Sequence, residues 1–401
     1  MKIAWVSASP LATTGYGRVT REVAPRLMEK HDVVMIGGLG TVTVWGGKLD
    51  WQYNGKVAPT YPTIGDMSGK DTFPLLHPRY NFDIVMTLWD AFSIDWSGEL
   101  PVPAINYVPI DSPMTRRMAN YLKNAYKIVG MTEFGFKELA RFFPPSKITL
   151  IEHGVNTSVF HPDTRLREIG RKTLKTVGGE DVPENAFIAL DVATNIGERK
   201  LLPFLILTFK EFVDTHKDAY LLLYTNRRMN YPAGYDLDIF AEEVGLKNLI
   251  FLSNNPIVDS LDDDMMNILY NACDVFVNSS LGEGFGLPFL EAMACGLPCA
   301  ATNTASAPEL IRGRGWLIDV IEDYTDIPNW IPTLQQYHPP SKKSLLACLG
   351  EAYSDPAKLS LYSSLCREFA LKFDWEKTIM PKWLGLLDEA EEDLKILRTI
   401  K

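Results

Sequence analysis

Short apolar runs alternate with helix-spaced amphipathic patterns along almost the whole chain, and this alternation constrains the fold more than any other feature. Parallel strands need a long crossover between them, normally a helix, so the pattern predicts βαβ units and parallel sheets. Strands are expected at KIAWVSA, DVVMIGG, FDIVMTLW, AINYVPI, KIVGMT and ITLIEHG. Helices are expected between several of them, as at GRVTREVAPRLMEK from Gly17 and EFGFKELARFF from Glu133. The stretch from Leu39 to Pro78, rich in Gly, Pro, Thr and Tyr, reads as loops and irregular strands decorating the first sheet.

The pattern restarts at AFIALDVA and continues through AYLLLY, LIFLSN, VFVNSS and PCAATN, each linked by a helix. The charged, Gly- and Pro-bearing interval from His161 to Asn185 therefore reads as the hinge between two α/β domains, residues 1–165 and 166–380. The C-terminal stretch reads as helices, and Pro381 is expected to kink the last of them. In open α/β sheets, ligands bind beyond the carboxyl ends of the strands.

Composition narrows the function classes. A net charge of −10 argues against a nucleic-acid partner held by broad phosphate neutralisation. Five cysteines without close C-x-x-C pairing read as reduced thiols of a cytoplasmic protein, not as a disulfide framework or zinc site. The opening MKIAWVSASP reads as a buried first strand, too short for a signal segment. No apolar run approaches the ~20 residues that span a bilayer, which leaves peripheral attachment to a membrane open.

The segment SSLGEGFGLPFLEAMACGLPCAATNTASAPEL, Ser279 to Leu310, carries Glu283 and Glu291 with seven residues between them. VFVNSS before it is a strand and GLPFLEAMACG a helix, with Pro288 in its first turn and Gly296 just past its end. LGEGFG is then the connecting loop. Gly284 and Gly286 allow close backbone approach to a ligand, and the helix start offers N–H groups to an anion. Glu291 can lean back toward this loop from the helix. Two carboxylates flanking an anion-binding helix end would hold hydroxyls on both sides of a phosphate, as a nucleotide sugar requires. Singly, Glu291 reads as a helix-dipole partner and Glu283 as a solvated loop residue; the pair around GFGLPF favours function.

This segment resembles the Glu-x7-Glu signature of the family 4 retaining glycosyltransferases. KIVGMTEFGFKEL, IEHGVNTSVFHP, NACDVFVNSS, ASAPELI and FDWEKTI are similar to further family segments at matching places. The resemblance runs from about Ala4 to Trp383, looser in the first half. It implies the GT-B fold, two Rossmann-like domains facing across a cleft, with a C-terminal helix (381–401) returning to the first domain. It also implies a nucleotide-diphosphate sugar donor, a sugar or glycoconjugate acceptor and transfer with retention. Glu291 would hold the donor ribose and Glu283 the transferred sugar, while the backbone of Gly284, Phe285, Gly286 and Leu287 would meet sugar hydroxyls or phosphates.

Cleaving a glycosyl–phosphate bond puts negative charge on the leaving diphosphate. Where the family has an Arg and a Lys, DVATNIGERKLLPF offers Arg199 and Lys200, but Thr194 or Asn195 replaces the upstream Arg. Asn195 is counted among the donor-binding residues. The missing Arg keeps a second reading open, a non-catalytic sugar-nucleotide-binding protein. A GT-B enzyme of another type, such as an epimerase or phosphorylase, also stays open.

In the first half, the loop TTGYGR lacks the third glycine of a dinucleotide fingerprint. By the resemblance, Gly15 and Gly17 would approach the donor phosphates and Thr132 would take the place of a family Ser. Asp111, in YVPIDSP, is a candidate acceptor-side catalytic group or a cap before Met114, and Asp90 in TLWDAF sits at another strand end. LDDD at Leu261–Asp264 precedes a helix and reads as a cap. No metal or other cofactor is expected. Trp5, Trp45, Trp51, Trp89 and Trp96 suit sugar rings, though burial is the commoner role. The basic residues 116–147 read as a solvated helix face or as a membrane-surface contact.

Overall fold

The computed structural model describes residues 1–38, 48–229, 233–252, 260–322, 327–328 and 336–400. Trp45 and the first part of the Leu39–Pro78 stretch lie outside them. Among the described residues no helix is long and apolar enough to cross a membrane.

The first unit comprises Met1–Gly154 and Trp375–Lys401. Its strands are β1 (Lys2–Ala8), β2 (Asp32–Gly38), β3 (Leu49–Tyr53), β4 (Lys56–Pro62), β5 (Ile84–Leu88), β6 (Ala104–Val108), β7 (Lys127–Gly130) and β8 (Ile148–Leu150). They form one sheet in the order β3-β4-β2-β1-β5-β6-β7-β8. All neighbours are parallel except β3 and β4. Helices α1 (Gly15–Leu27), α2 (Phe73–Tyr80), α3 (Arg116–Leu122) and α4 (Glu133–Ala140) connect them. After the first residue β1 and β2 are buried throughout, as expected of parallel strands covered on both faces. The Leu39–Pro78 stretch is more regular than its composition suggests. Asn54 (φ 47°) and Gly55 (φ 75°) make a tight left-handed turn that pairs β3 with β4, a hairpin signal visible as Asn-Gly.

The second unit comprises Val155–Pro328 and Gln336–Asp374. Strands β9 (Phe187–Val192), β10 (Ala219–Tyr224), β11 (Leu249–Phe251), β12 (Val275–Asn278), β13 (Cys299–Thr302) and β14 (Trp316–Ile318) form a parallel sheet ordered β11-β10-β9-β12-β13-β14. Its helices include α5 (Thr164–Lys172), α6 (Leu202–Thr215), α7 (Leu237–Val244), α8 (Asp263–Ala272), α9 (Leu287–Ala294) and α10 (Ala307–Ile311). Two longer helices follow, α11 (Lys342–Ser354) and α12 (Pro356–Ala370). Asp262 caps α8 by accepting from Met265 N at 2.8 Å, so the LDDD run acts as a helix start. The five cysteines are buried free thiols.

The unit boundaries differ from those expected at 165/166 and 380/381. The chain passes between units at Gly154/Val155 and at Asp374/Trp375. Val155 N donates to Phe373 O at 2.8 Å, and Thr157 Oγ1 donates to Asp374 Oδ2 at 3.0 Å. The interval His161–Asn185 is not a free linker either. Within it α5 packs on α8, and Arg167 and the buried Arg171 both pair with Asp274, at 2.5 and 2.7 Å. Two of its charges, Arg167 and Arg171, make these ion pairs, while Arg165, Glu168, Lys172, Lys175, Glu180, Asp181 and Glu184 are exposed.

The chain ends in α13 (Met380–Ile400), which belongs to the first unit, as the resemblance implies. Trp383 is fully buried and meets Tyr107 edge-on at 4.9 Å, and Lys127 pairs with Glu389 at 2.6 Å. Pro381, expected to kink this helix from inside, is at its start. It lies in the first turn, directly after a π-helical turn at Trp375–Ile379, where a missing N–H costs nothing.

Candidate active site

In the second unit the chain builds β10 and β11 on one side of β9, then returns to build β12, β13 and β14 on the other. The loops leaving the carboxyl ends of β9 and β12 therefore diverge, and the crevice at such a reversal is where open α/β sheets hold ligands. Nearly all the second-unit site residues expected from sequence lie on these two loops and on α9.

The two loops are tied by backbone. Leu281 N donates to Arg199 O at 2.9 Å, and Ser280 Oγ reaches the same carbonyl at 3.3 Å. Leu201, which leads into α6, has φ 49°, a left-handed conformation disfavoured for a side chain with a Cβ. Arg199 and Lys200 immediately precede this strained turn.

Both cations converge on Glu283. Lys200 Nζ lies 2.5 Å from Oε1 and Arg199 Nη1 lies 3.5 Å from Oε2, while Arg199 also donates to Gly282 O. Lys200 and Glu283 are each only 15% exposed, so solvent screens the pair weakly. Burial works against the Glu283 anion, but Lys200 and Arg199 outweigh it and hold the carboxyl down at about 2. Burial also pushes the Lys200 ammonium below its ordinary value, with Glu283 opposing. The group stands as an ion pair with Arg199 as a second cation.

Glu283 leads into α9. Gly286 has φ 93°, and a Cβ there would sit 2.3 Å from the Phe289 ring, so only glycine fits. No side chain caps the start of α9 at Gly286. Gly284, Gly286 and Leu287 are half-buried, and Phe285 is buried edge-on to Phe373 at 6.5 Å. Glu291, one turn further, is 4% exposed and accepts a 2.8 Å hydrogen bond from the Tyr270 hydroxyl.

Asn195 stands apart from this group. Its Nδ2 donates to Asn226 O (2.8 Å) and Tyr235 O (2.6 Å), and its Oδ1 accepts from Tyr235 N (3.0 Å). The buried amide is thus engaged in clamping the loop after β10, a correction to its expected contact with donor. Thr194, the other residue at the place where the resemblance would put an Arg, is exposed.

The first-unit candidates follow β1, β6 and β7, at the carboxyl edge of that sheet. Gly15 is exposed at the start of α1, and Gly17 N donates to Thr14 Oγ1 at 3.2 Å. A Cβ on Gly17 would lie 2.2 Å from Ala12 O, so this glycine serves close packing. Thr132 is fully buried and caps α4 by accepting from Gly135 N at 2.9 Å, which gives its hydroxyl a structural duty. Asp111 is half-buried; the cap of α3 is Thr115, which accepts from Met118 N at 3.2 Å. Trp5, Trp89 and Trp96 are buried and Trp51 half-buried, and Trp89 meets Tyr16 edge-on at 5.4 Å.

Sequence reading passed over Asp191, near the end of β9. It is 1% exposed, Asn278 Nδ2 donates to its Oδ1 at 3.3 Å, and Oδ2 has no hydrogen-bond partner among the described residues. Burial pushes its carboxyl up to about 7 against the pull of Lys200 and Asn278, with Glu283 adding to the rise. The signal was present: an acid within FIALDV interrupts a central parallel strand that would otherwise be wholly apolar. Tyr270 was also missed, because helix spacing shows only a core aromatic.

Comparison with known proteins now adds to this geometry. The fold is GT-B. Sucrose-phosphate synthase from Thermosynechococcus elongatus superposes with a TM-score of 0.75 over 98% of this chain and all of that one, at 17% identity. HepE of Anabaena, solved in complex with UDP-glucose, gives 0.72 over 97% of this chain and all of its own, at 14% identity. In sequence, the family profile described as Glycosyl transferases group 1 matches residues 192–327, which hold both loops of the site and α9. The chain is 36% identical over 111 residues to O-antigen chain mannosyltransferase B of Escherichia coli, covering 25% of this chain and 28% of that protein. The chain thus spans under a third of that relative's length.

Proposed function

We propose that the chain is a retaining glycosyltransferase of the family 4 type, moving a sugar from a nucleotide-diphosphate sugar to a sugar or glycoconjugate acceptor. The observation that carries this reading is the half-buried Glu283–Lys200–Arg199 group, set at the strand-order reversal where α9 starts at Gly286, with the buried Glu291 on that helix. Lys200, Arg199 and the amides of Phe285, Gly286 and Leu287 neutralise the diphosphate as the glycosyl–oxygen bond breaks. Glu283 takes hydroxyls of the transferred sugar and Glu291 those of the ribose. The solved relative bound to UDP-glucose supports a nucleotide-sugar donor. Asp111, Gly15 and Gly17 stay expectations of the resemblance within the first unit, and the protein is proposed to work in the cytoplasm.

The cations that meet phosphate here are side chains, and the acidic run at Asp262–Asp264 is a helix start. Transfer is therefore expected to proceed undiminished in EDTA. Activity abolished by the chelator and restored by Mg²⁺ or Mn²⁺ would contradict this.

The basic residues 116–147 of the first unit are a solvated surface or a contact for an anionic membrane that bears the acceptor. Arg116, Arg117, Lys123, Lys137 and Arg141 are exposed, and the half-buried Phe142 and Phe143 lie under Arg141 and Lys147 at 5.4 and 5.7 Å. A thermal-shift panel of nucleoside diphosphate sugars, followed by product analysis with the one that binds, tests the function. A donor bound but never cleaved would favour the non-catalytic binding protein, the reading that exposed Thr194 keeps alive.

A further inference from the structure

Glu291 is a carboxylate in the interior of an α/β domain, and the group that meets it there is a phenol. Tyr270 lies near the end of α8, is fully buried, and donates to Glu291 Oε2 at 2.8 Å. Its ring is bounded by Phe160 (6.0 Å between centroids, 69°) and by Phe276 of β12 (6.3 Å, 53°). Phe276 in turn stands edge-on to Phe289 of α9 at 5.6 Å. The phenol ring is therefore flanked by Phe160, from the segment before α5, and by Phe276 of β12, with no exposed surface of its own. The close-packed ring keeps its O–H aimed at Oε2 and so restrains where that oxygen sits.

We propose that Tyr270 is a positioning residue for Glu291, setting the carboxylate so that it meets the ribose of a nucleoside diphosphate. The inference rests on the reading of Glu291 as the ribose-binding group. A hydrogen bond to a charged group is stronger and more directional than a neutral one. A carboxylate restrained by such a bond inside close-packed walls is offered to a sugar hydroxyl with little reordering on binding. That saving is the source of affinity in preorganised sites. A purely structural role, satisfying a buried anion, would instead be blind to which hydroxyls the nucleotide carries.

The test is Tyr270→Phe, which removes one oxygen and keeps the ring. Calorimetric titration uses whichever of the uridine, guanosine, adenosine and cytidine diphosphates the wild type binds, with its 2′-deoxy and 3′-deoxy forms. The expected result is about tenfold or greater weakening of the parent nucleotide. The deoxy form that lacks the hydroxyl held by Glu291 should weaken by less than about twofold, since nothing remains for a well-aimed carboxylate to hold. Equal weakening of all three nucleotides, or no change in any, overturns the positioning role while leaving the proposed function intact. Absence of binding by the wild type to every diphosphate overturns the function and the inference with it. If Tyr270→Phe does not melt cooperatively, Glu291→Gln is compared with Glu291→Gln/Tyr270→Phe, in which no buried anion is left unpaired. The double variant should bind the parent nucleotide more weakly than Glu291→Gln alone; equal affinities would overturn the proposal.

Discussion

Lys200→Met should lower sugar transfer by ~10²–10³-fold, the usual loss when one preorganised donor is removed from developing negative charge. It should also destabilise the protein. Glu283 would keep the more distant Arg199 and the Ser280 hydroxyl as partners, and breaking a buried ion pair from one side costs about 3–5 kcal/mol, an upper figure here because both stay. Lys200→Met/Glu283→Gln separates the two effects. Removing both charges should restore most of the stability, because neutral replacements of similar volume are tolerated at buried pairs. Transfer should stay lost. Denaturant unfolding reads the first effect and nucleoside diphosphate release the second. Recovery of both together in the double variant would confine Lys200 to folding.

Asp191→Asn should change how stability depends on pH. The folded carboxyl titrates at about 7, well above the 3.8 of an ordinary aspartate. Between these values the folded chain keeps a proton that the unfolded chain has released. Stability is therefore fully present below the unfolded value and declines as pH rises through the folded one. The decline attributable to this group is on the order of 4 kcal/mol, at 1.36 kcal/mol per pH unit. Asparagine resembles the protonated acid and carries no such dependence. The variant should match wild type near pH 4 and exceed it in melting temperature at pH 7 and above. Carboxylates away from Asp191 contribute equally to both proteins, and Glu283, held down at about 2, is ionised across this range in the wild type. A difference that stays constant across this range would place the Asp191 charge elsewhere.

How far sequence carries this account depends on which forces act locally. AYLLLY coincides with β10 because a strand covered on both faces is written as an unbroken apolar run. ITLIEHG overshoots β8, which ends at Leu150, because the run continues into the segment that leads out of the unit. The domain boundary was misplaced for a similar reason. Local composition cannot show that Arg167 and Arg171 pair with Asp274, more than a hundred residues away. The loop between Glu283 and Glu291 was legible because glycine, proline and helix spacing all act within a few residues. The convergence of Arg199 and Lys200 on Glu283 was not, since it depends on β9 and β12 being neighbours in the sheet. Asn195 and Thr132 show the opposite limit, polar side chains at suggestive positions whose hydrogen bonds go to their own backbone surroundings.

The central claim is that the β9–β12 reversal binds a nucleoside diphosphate sugar through Glu291 and Lys200. Isothermal titration of uridine-, guanosine-, adenosine- and cytidine-diphosphate sugars into the wild type, Glu291→Ala and Lys200→Met/Glu283→Gln tests it most directly. The account predicts that at least one donor binds the wild type and that both variants, still folded, bind that donor at least about tenfold more weakly. Binding of equal strength by all three proteins, or no binding of any donor to the wild type, would contradict it.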